Sequence, residues 1–215
     1  MQDVWAGRRE LLRNAIARSL ESVDFSHGQL IREQIEAVDA AEYETAALAC
    51  LAAAEAAGGS ADSAVSGARA IALLSQMGLV FTSLDNSGGS ASLSTAWGMP
   101  RSLNAGDALF ALAQASLLSG PDELTTAKRL QATVILDEGT RALVDALLAL
   151  GEKNDAATMS QRALLPAAMT LGGLLGGADE NARDRLSMLG QEWSLLPAKD
   201  LSRRLAGDPD RWLAT

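Results

Sequence analysis

The sequence predicts an all-α fold, a single helical domain over residues 1–215. Three observations predict it. Ala and Leu dominate a chain that is 48% hydrophobic and only 4% aromatic. Both are strong helix formers, whereas strands favour the aromatic and β-branched residues that are few here. Apolar residues also recur at helical spacing. Finally, 215 residues suit one domain with a sizeable core.

Taken in order, residues Val4 to Leu20 read as an amphipathic helix, with Leu11, Leu12, Ala15, Ile16 and Leu20 on one face and Arg8, Arg9, Glu10 and Arg13 between them. Asp24 to Gly28 reads as a loop, and His27, the single histidine, as a loop or cap residue. A second helical region runs from Gln29 to Ala57 with a break near Val38 to Ala41. Gly58-Gly59-Ser60 stops it, because glycine fits the left-handed helix end. The acids Asp39, Glu42 and Glu44 read as its solvated face.

The third helix is expected from Ser60 to Phe81, with Asp62 charging its start. Thr82, Ser83 and Asn86 read as its polar end, leading into a Gly/Ser-rich loop at Ser87–Thr95. The fourth helix is expected at Leu103–Leu118, begun by Asn104–Asp107, with Leu109, Phe110, Leu112 and Ala113 as its apolar face. The fifth is expected from Pro121 to Leu150, Pro and acids at its first turn, with Leu124, Ala127, Leu130, Val134, Leu136, Leu143 and Leu147 buried. A further helix from Ala156 to Gly173 carries a kinking Pro166 and leads into the glycine run Gly172–Gly177. Ala178-Asp179-Glu180 begins the last long helix, through Leu186, Leu189 and Trp193.

Charge and cysteine usage narrow the function classes. A net charge of −9 argues against nucleic acid or an anionic membrane as partner. A single cysteine, Cys50, excludes an internal disulfide framework and reads as a small buried apolar residue. The first residues do not read as a signal peptide, and no integral membrane segment is expected. A cytoplasmic location is the default expectation.

The run Gly98-Met-Pro-Arg-Ser-Leu-Asn-Ala-Gly-Asp-Ala-Leu-Phe-Ala-Leu-Ala113 closely resembles the Gly-x-Pro-x-x-x-Asn-Ala-Gly-Asp-x-Leu-x-x-x-Ala run of the polyprenyl (isoprenyl) diphosphate synthases. The resemblance covers about Ala46 to Pro209. It implies a helical bundle of the isoprenoid synthase type, truncated at the C-terminus, since the family continues with further helices beyond the position of Thr215. Active members join allylic diphosphates to isopentenyl diphosphate with magnesium held by two aspartate-rich motifs.

The matching positions here depart from that pattern. The aspartates of the first motif fall on Thr82, Ser83 and Asn86, and the preceding histidine on Phe81. Neutral oxygens do not balance divalent charge as paired carboxylates do. The Glu-Gly-Gln-x-x-Asp motif becomes Glu138-Gly-Thr140 with Leu143 at the metal-side acid. These residues, with Phe81, read as a vestigial pocket. Of the second acidic pair only Asp200 remains, with Lys199 beside it. The cations that grip diphosphate are absent from Ala37–Ala47 and from the Gly/Ser loop, and the family's Lys-Thr pair falls at Ser160-Gln161, near Arg162.

The resemblance therefore implies a catalytically silent polyprenyl synthetase-like protein that needs no cofactor. Its role would be that of a non-catalytic or regulatory subunit, or a homodimeric pseudoenzyme, linked to isoprenoid biosynthesis. The expected partner is an active prenyl diphosphate synthase or a second copy of the chain. Two alternatives remain open at this point: a related enzyme with altered chemistry, and an apolar-ligand binding or scaffold protein.

Overall fold

A computed structural model describes residues 5–21, 32, 41–85, 98–119, 124–149 and 156–213. The described residues form eight helices joined by turns, with no strand among them. They are α1 (Ala6–Glu21), α2 (Ala41–Ala56), α3 (Val65–Asp85), α4 (Met99–Leu118), α5 (Thr126–Leu148), α6 (Ala156–Gly176), α7 (Glu180–Ser194) and α8 (Ala198–Leu205). Single 3-10 turns at Asp62–Ala64 and Pro209–Arg211 precede α3 and follow α8.

The bundle is built around α6, which packs on α2, α3, α5 and α7. Its Leu164, Leu165, Ala168, Met169 and Leu171 are fully buried. The glycine run expected after this helix lies mostly inside it. A Cβ on Gly172 would overlap the Cys50 carbonyl oxygen, and one on Gly176 would lie 2.7 Å from Ala54 Cα. Glycines four residues apart thus let α2 and α6 pack backbone to backbone, the partner residues Cys50 and Ala54 also being four apart. Only Gly177, at φ +93°, leaves the helix.

Helix ends differ from the sequence expectation where capping groups lie elsewhere. The fourth helix begins at Met99, so Asn104–Asp107 are interior residues. Gly98 supplies the cap at φ 78°, and Pro100 fits the first turn, where no N–H is needed. The fifth begins at Thr126, because the Thr125 hydroxyl accepts from Lys128 N–H at 3.2 Å. Pro121, Asp122 and Glu123 lie outside the described residues, as do Asp24–Gly28, His27, Asp39 and the Gly/Ser loop. The third helix begins at Val65 and runs to Asp85, so Thr82 and Ser83 are helical and lie in its last described turn.

Three burial expectations are corrected. On α5 the buried face is Ala132, Ile135, Leu136, Gly139 and Leu143. Leu130 and Val134 are 66% and 50% exposed, and Ala127 is also exposed. Phe110 on α4 is likewise exposed. Glu44 is not on a solvated face: it is buried and paired with Arg13 Nε at 2.8 Å and Arg9 Nε at 3.5 Å. Residues Asp62–Leu84 are long and apolar enough to cross a membrane by composition, but 78% of that window is buried in the bundle, which marks a core helix.

Candidate functional site

The stretch that the resemblance marks as a vestigial pocket lies along the C-terminal half of α3, where α4, α5 and α6 face it. Small residues on α3 and α4 set how closely the walls approach. A Cβ on Gly78 would lie 2.8 Å from Ser160 Oγ of α6 and 3.3 Å from Leu143 Cδ1 of α5. One turn later the Phe81 ring occupies the space that a Cβ on Gly106 of α4 would need. Leu143 is fully buried and Phe81 half-buried. Apolar side chains therefore occupy this stretch in direct contact with the facing helices.

The polar residues of the first motif are turned inward on their own helix. Thr82 Oγ1 donates to Gly78 O at 3.0 Å, with Leu79 O at 3.1 Å, and Ser83 Oγ donates to Val80 O at 2.6 Å. Thr140 does the same on α5, donating to Leu136 O at 2.9 Å. Such back-bonding satisfies a hydroxyl locally. Asn86 lies outside the described residues. Glu138 is exposed on α5 and does not join the buried wall that Leu143 forms. Asp200 sits in the first turn of α8, where Arg203 rather than Lys199 neutralises it, Nη1 to Oδ1 at 2.9 Å.

The donor chemistry at these positions does not fit a magnesium ion. A hard divalent cation takes several oxygens, carboxylates among them. Thr82 and Ser83 are neutral and already bonded, and Asp200 is shared with an arginine. Among the described residues no three His, Cys, Asp or Glu side chains gather as a metal set. Arg162, the cation nearest the lost Lys-Thr pair, donates to Leu196 O at 3.0 Å and so ties α6 to the chain after α7.

Some polar residues take buried roles that the sequence did not signal. Gln161 Oε1 accepts from Ala46 N–H at 2.8 Å across the α2–α6 contact. The Gln76 amide and Ser160 Oγ are buried with no hydrogen-bond partner among the described residues. A helical sequence with polar residues every few positions does not mark which of them face inward. Cys50 is fully buried, and burial pushes its thiol pKa up. At the other end of α3, a groove of about 300 Å³ lies between α1, α3 and α4. Arg69 there donates to Ser116 Oγ at 3.0 Å and to Ser116 O at 3.2 Å. Burial first, and Arg18 second, lowers the Arg69 guanidinium pKa. Arg69 closes the carbonyl end of α4.

No family model matches the sequence, and no curated protein matches it. Solved structures do match the fold. The polyprenyl synthetase of Streptomyces coelicolor A3(2) superposes with a TM-score of 0.68 at 22% identity, over 88% of this chain and 62% of that one. A chain of a deletion mutant of mint heterotetrameric geranyl pyrophosphate synthase superposes with a TM-score of 0.73 at 17% identity, covering 100% of both. The geranyl diphosphate synthase small subunit of Antirrhinum majus gives 0.69 at 17% identity, over 95% of this chain and 90% of that one. The chain spans 62% of the length of the polyprenyl synthetase and of a geranylgeranyl pyrophosphate synthase. The fold of this chain is that of the polyprenyl and geranylgeranyl diphosphate synthases.

Proposed function

We propose that this chain is a catalytically silent prenyl-synthase-fold protein that acts in isoprenoid biosynthesis by associating with another subunit. The observation that carries the reading is the state of the first motif. Hydroxyls bonded to their own helix stand where charge-balancing acids are needed, and Leu143 is packed solid across the wall. Departure of a diphosphate demands electrostatic help at the leaving group, and these residues supply none. Neither magnesium nor another cofactor is needed for an associative role. The likeness to a chain of a heterotetrameric synthase and to a synthase small subunit favours such a role.

A magnesium-dependent prenyl transfer assay tests the reading. The purified chain is given isopentenyl diphosphate and allylic diphosphates of several lengths, alone and with an active prenyl diphosphate synthase. The expected result is no product alone and a changed product length or yield with the synthase. Turnover by the pure chain overturns it. The full burial of Leu143 and the Phe81 ring seated against Gly106 weigh against the apolar-ligand carrier, which requires an open interior.

A further inference from the structure

Two arginines converge on one groove without a carboxylate between them. The groove at the N-terminal end of α3 is lined by Arg18 of α1 and Arg69 of α3, with Ser19, Ser66, Ser116 and Ser119 around them. No Asp or Glu lines it, and no ion pair among the described residues includes either arginine. The chain has 27 acids against 18 lysines and arginines, so acids were not in short supply. Like charges held together disfavour each other. The effect is seen at Arg69, whose guanidinium pKa is lowered by burial and then by Arg18. An anion seated between the two cations would relieve that repulsion.

Closing the end of α4 accounts for only part of Arg69. Its Nε donates to Ser116 Oγ and its Nη2 to Ser116 O, with Ser119 Oγ at 3.5 Å. Both N–H groups of Nη1 are left for another acceptor. Arg18 is exposed at the mouth of the groove, one helical turn from the buried Ala15 of its floor.

Ser66 supplies an independent sign of a ligand. It lies one turn before Arg69 on the same face of α3 and is only 3% exposed. Its Oγ has no hydrogen-bond partner among the described residues. The other serines of the groove all bond back one turn: Ser19 to Ala15 O, Ser116 to Leu112 O and Ser119 to Ala115 O. Ser66 alone keeps its hydroxyl hydrogen unspent, and a buried hydroxyl without an acceptor is costly.

These donors select the chemistry. Two guanidiniums and a hydroxyl suit an oxygen-rich dianion, and the planar arginine fork matches phosphate oxygens. At about 300 Å³ the groove is at the small end of ligand pockets. Val65 and Leu112 give it an apolar wall on which a short organic group can rest. The place is remote from the vestigial pocket, since Arg69 precedes Thr82 by thirteen residues, about 20 Å along α3.

We propose that the groove between α1, α3 and α4 binds the phosphate group of a small molecule, held between Arg18 and Arg69 with Ser66 Oγ donating to it. The proposal is independent of the associative reading above. The test is isothermal titration calorimetry of the full chain with inorganic phosphate, pyrophosphate and butyl phosphate, at constant ionic strength balanced with chloride. Saturable 1:1 binding with a Kd of about 1 mM or below is expected for at least one probe. Arg18→Gln and Ser66→Ala, each checked for native helicity by circular dichroism, should weaken it roughly fivefold or more. Arg141→Gln, an exposed arginine of α5 outside the groove, should bind as the wild type does. Tighter binding of butyl phosphate than of inorganic phosphate assigns the groove to an organic phosphate. Equal binding assigns it to the free anion. No saturable binding of any probe up to about 10 mM overturns the proposal. So does binding that either groove variant leaves unchanged, or that Arg141→Gln weakens equally.

Discussion

Leu143 shows what one position decides. It is fully buried where the resemblance places a metal-side acid. Leu143→Ala should cost about 2–5 kcal/mol in urea unfolding, through lost burial plus a cavity. Leu143→Asp should cost at least as much, because an unpaired carboxylate would enter an apolar wall. Gln76 is the opposite case, with both amide atoms buried and unpartnered. Gln76→Met keeps the volume and removes the orphaned groups, so a gain of about 1–3 kcal/mol is expected in the same assay. Cys50 sets a pH dependence. Burial raises its thiol pKa above the ordinary 9.0, so the folded state keeps the proton while the unfolded chain releases it. Stability is therefore unaffected below about pH 8.5 and falls as pH rises beyond it, and Cys50→Ala should flatten that fall in melts run from pH 8 to 10. The sequence put forward Leu143, Thr82, Ser83 and Asp200 as candidates because a family pattern supplied their register. It did not make Gln76, Gln161 or Glu44 legible, since inward and outward polar residues look alike in a helical string.

At the scale of elements, the α2–α6 contact is the sharpest test. Gly172→Ala gains about 1 kcal/mol of helix propensity. It also drives a methyl into the Cys50 carbonyl. A backbone neighbour cannot rotate away, and such overpacking costs about 1–3 kcal/mol, so a net loss of stability is expected. Gly7→Ala is the control. Nothing lies within 4 Å of a Cβ at Gly7 in α1, so the same propensity term should appear there as a gain of about 0.5–1 kcal/mol. Thermal unfolding of the two variants should move in opposite directions. Helix α5 carries a related lesson. Leu130 and Val134 were expected on its buried side with Leu136 and Leu143, yet Leu130 and Val134 face outward while Ile135 and Leu136 face the core. A helix with apolar residues on two faces offers two solutions for one core, and only its neighbours choose between them.

The whole molecule carries a net charge of −9, so any two copies repel at long range. Raising ionic strength shortens the screening length from about 30 Å at 0.01 M to about 8 Å at 0.15 M. Light scattering over that salt range should show the repulsion weaken as a falling second virial coefficient. The amino-acid sequence alone settled the all-α class and the order of the helices. Local propensity, periodicity and a family wording are all properties of contiguous residues. The tertiary structure alone decided that the Gly172–Gly177 run is mainly a helix contact rather than a stop. It also decided that Thr82 and Ser83 spend their hydroxyls on their own helix, that Glu44 is buried between arginines, and that Leu130, Val134 and Leu148 of α5 face outward. Each of these depends on which residues distant in sequence come within a few ångströms, and that is fixed by packing rather than by local pattern.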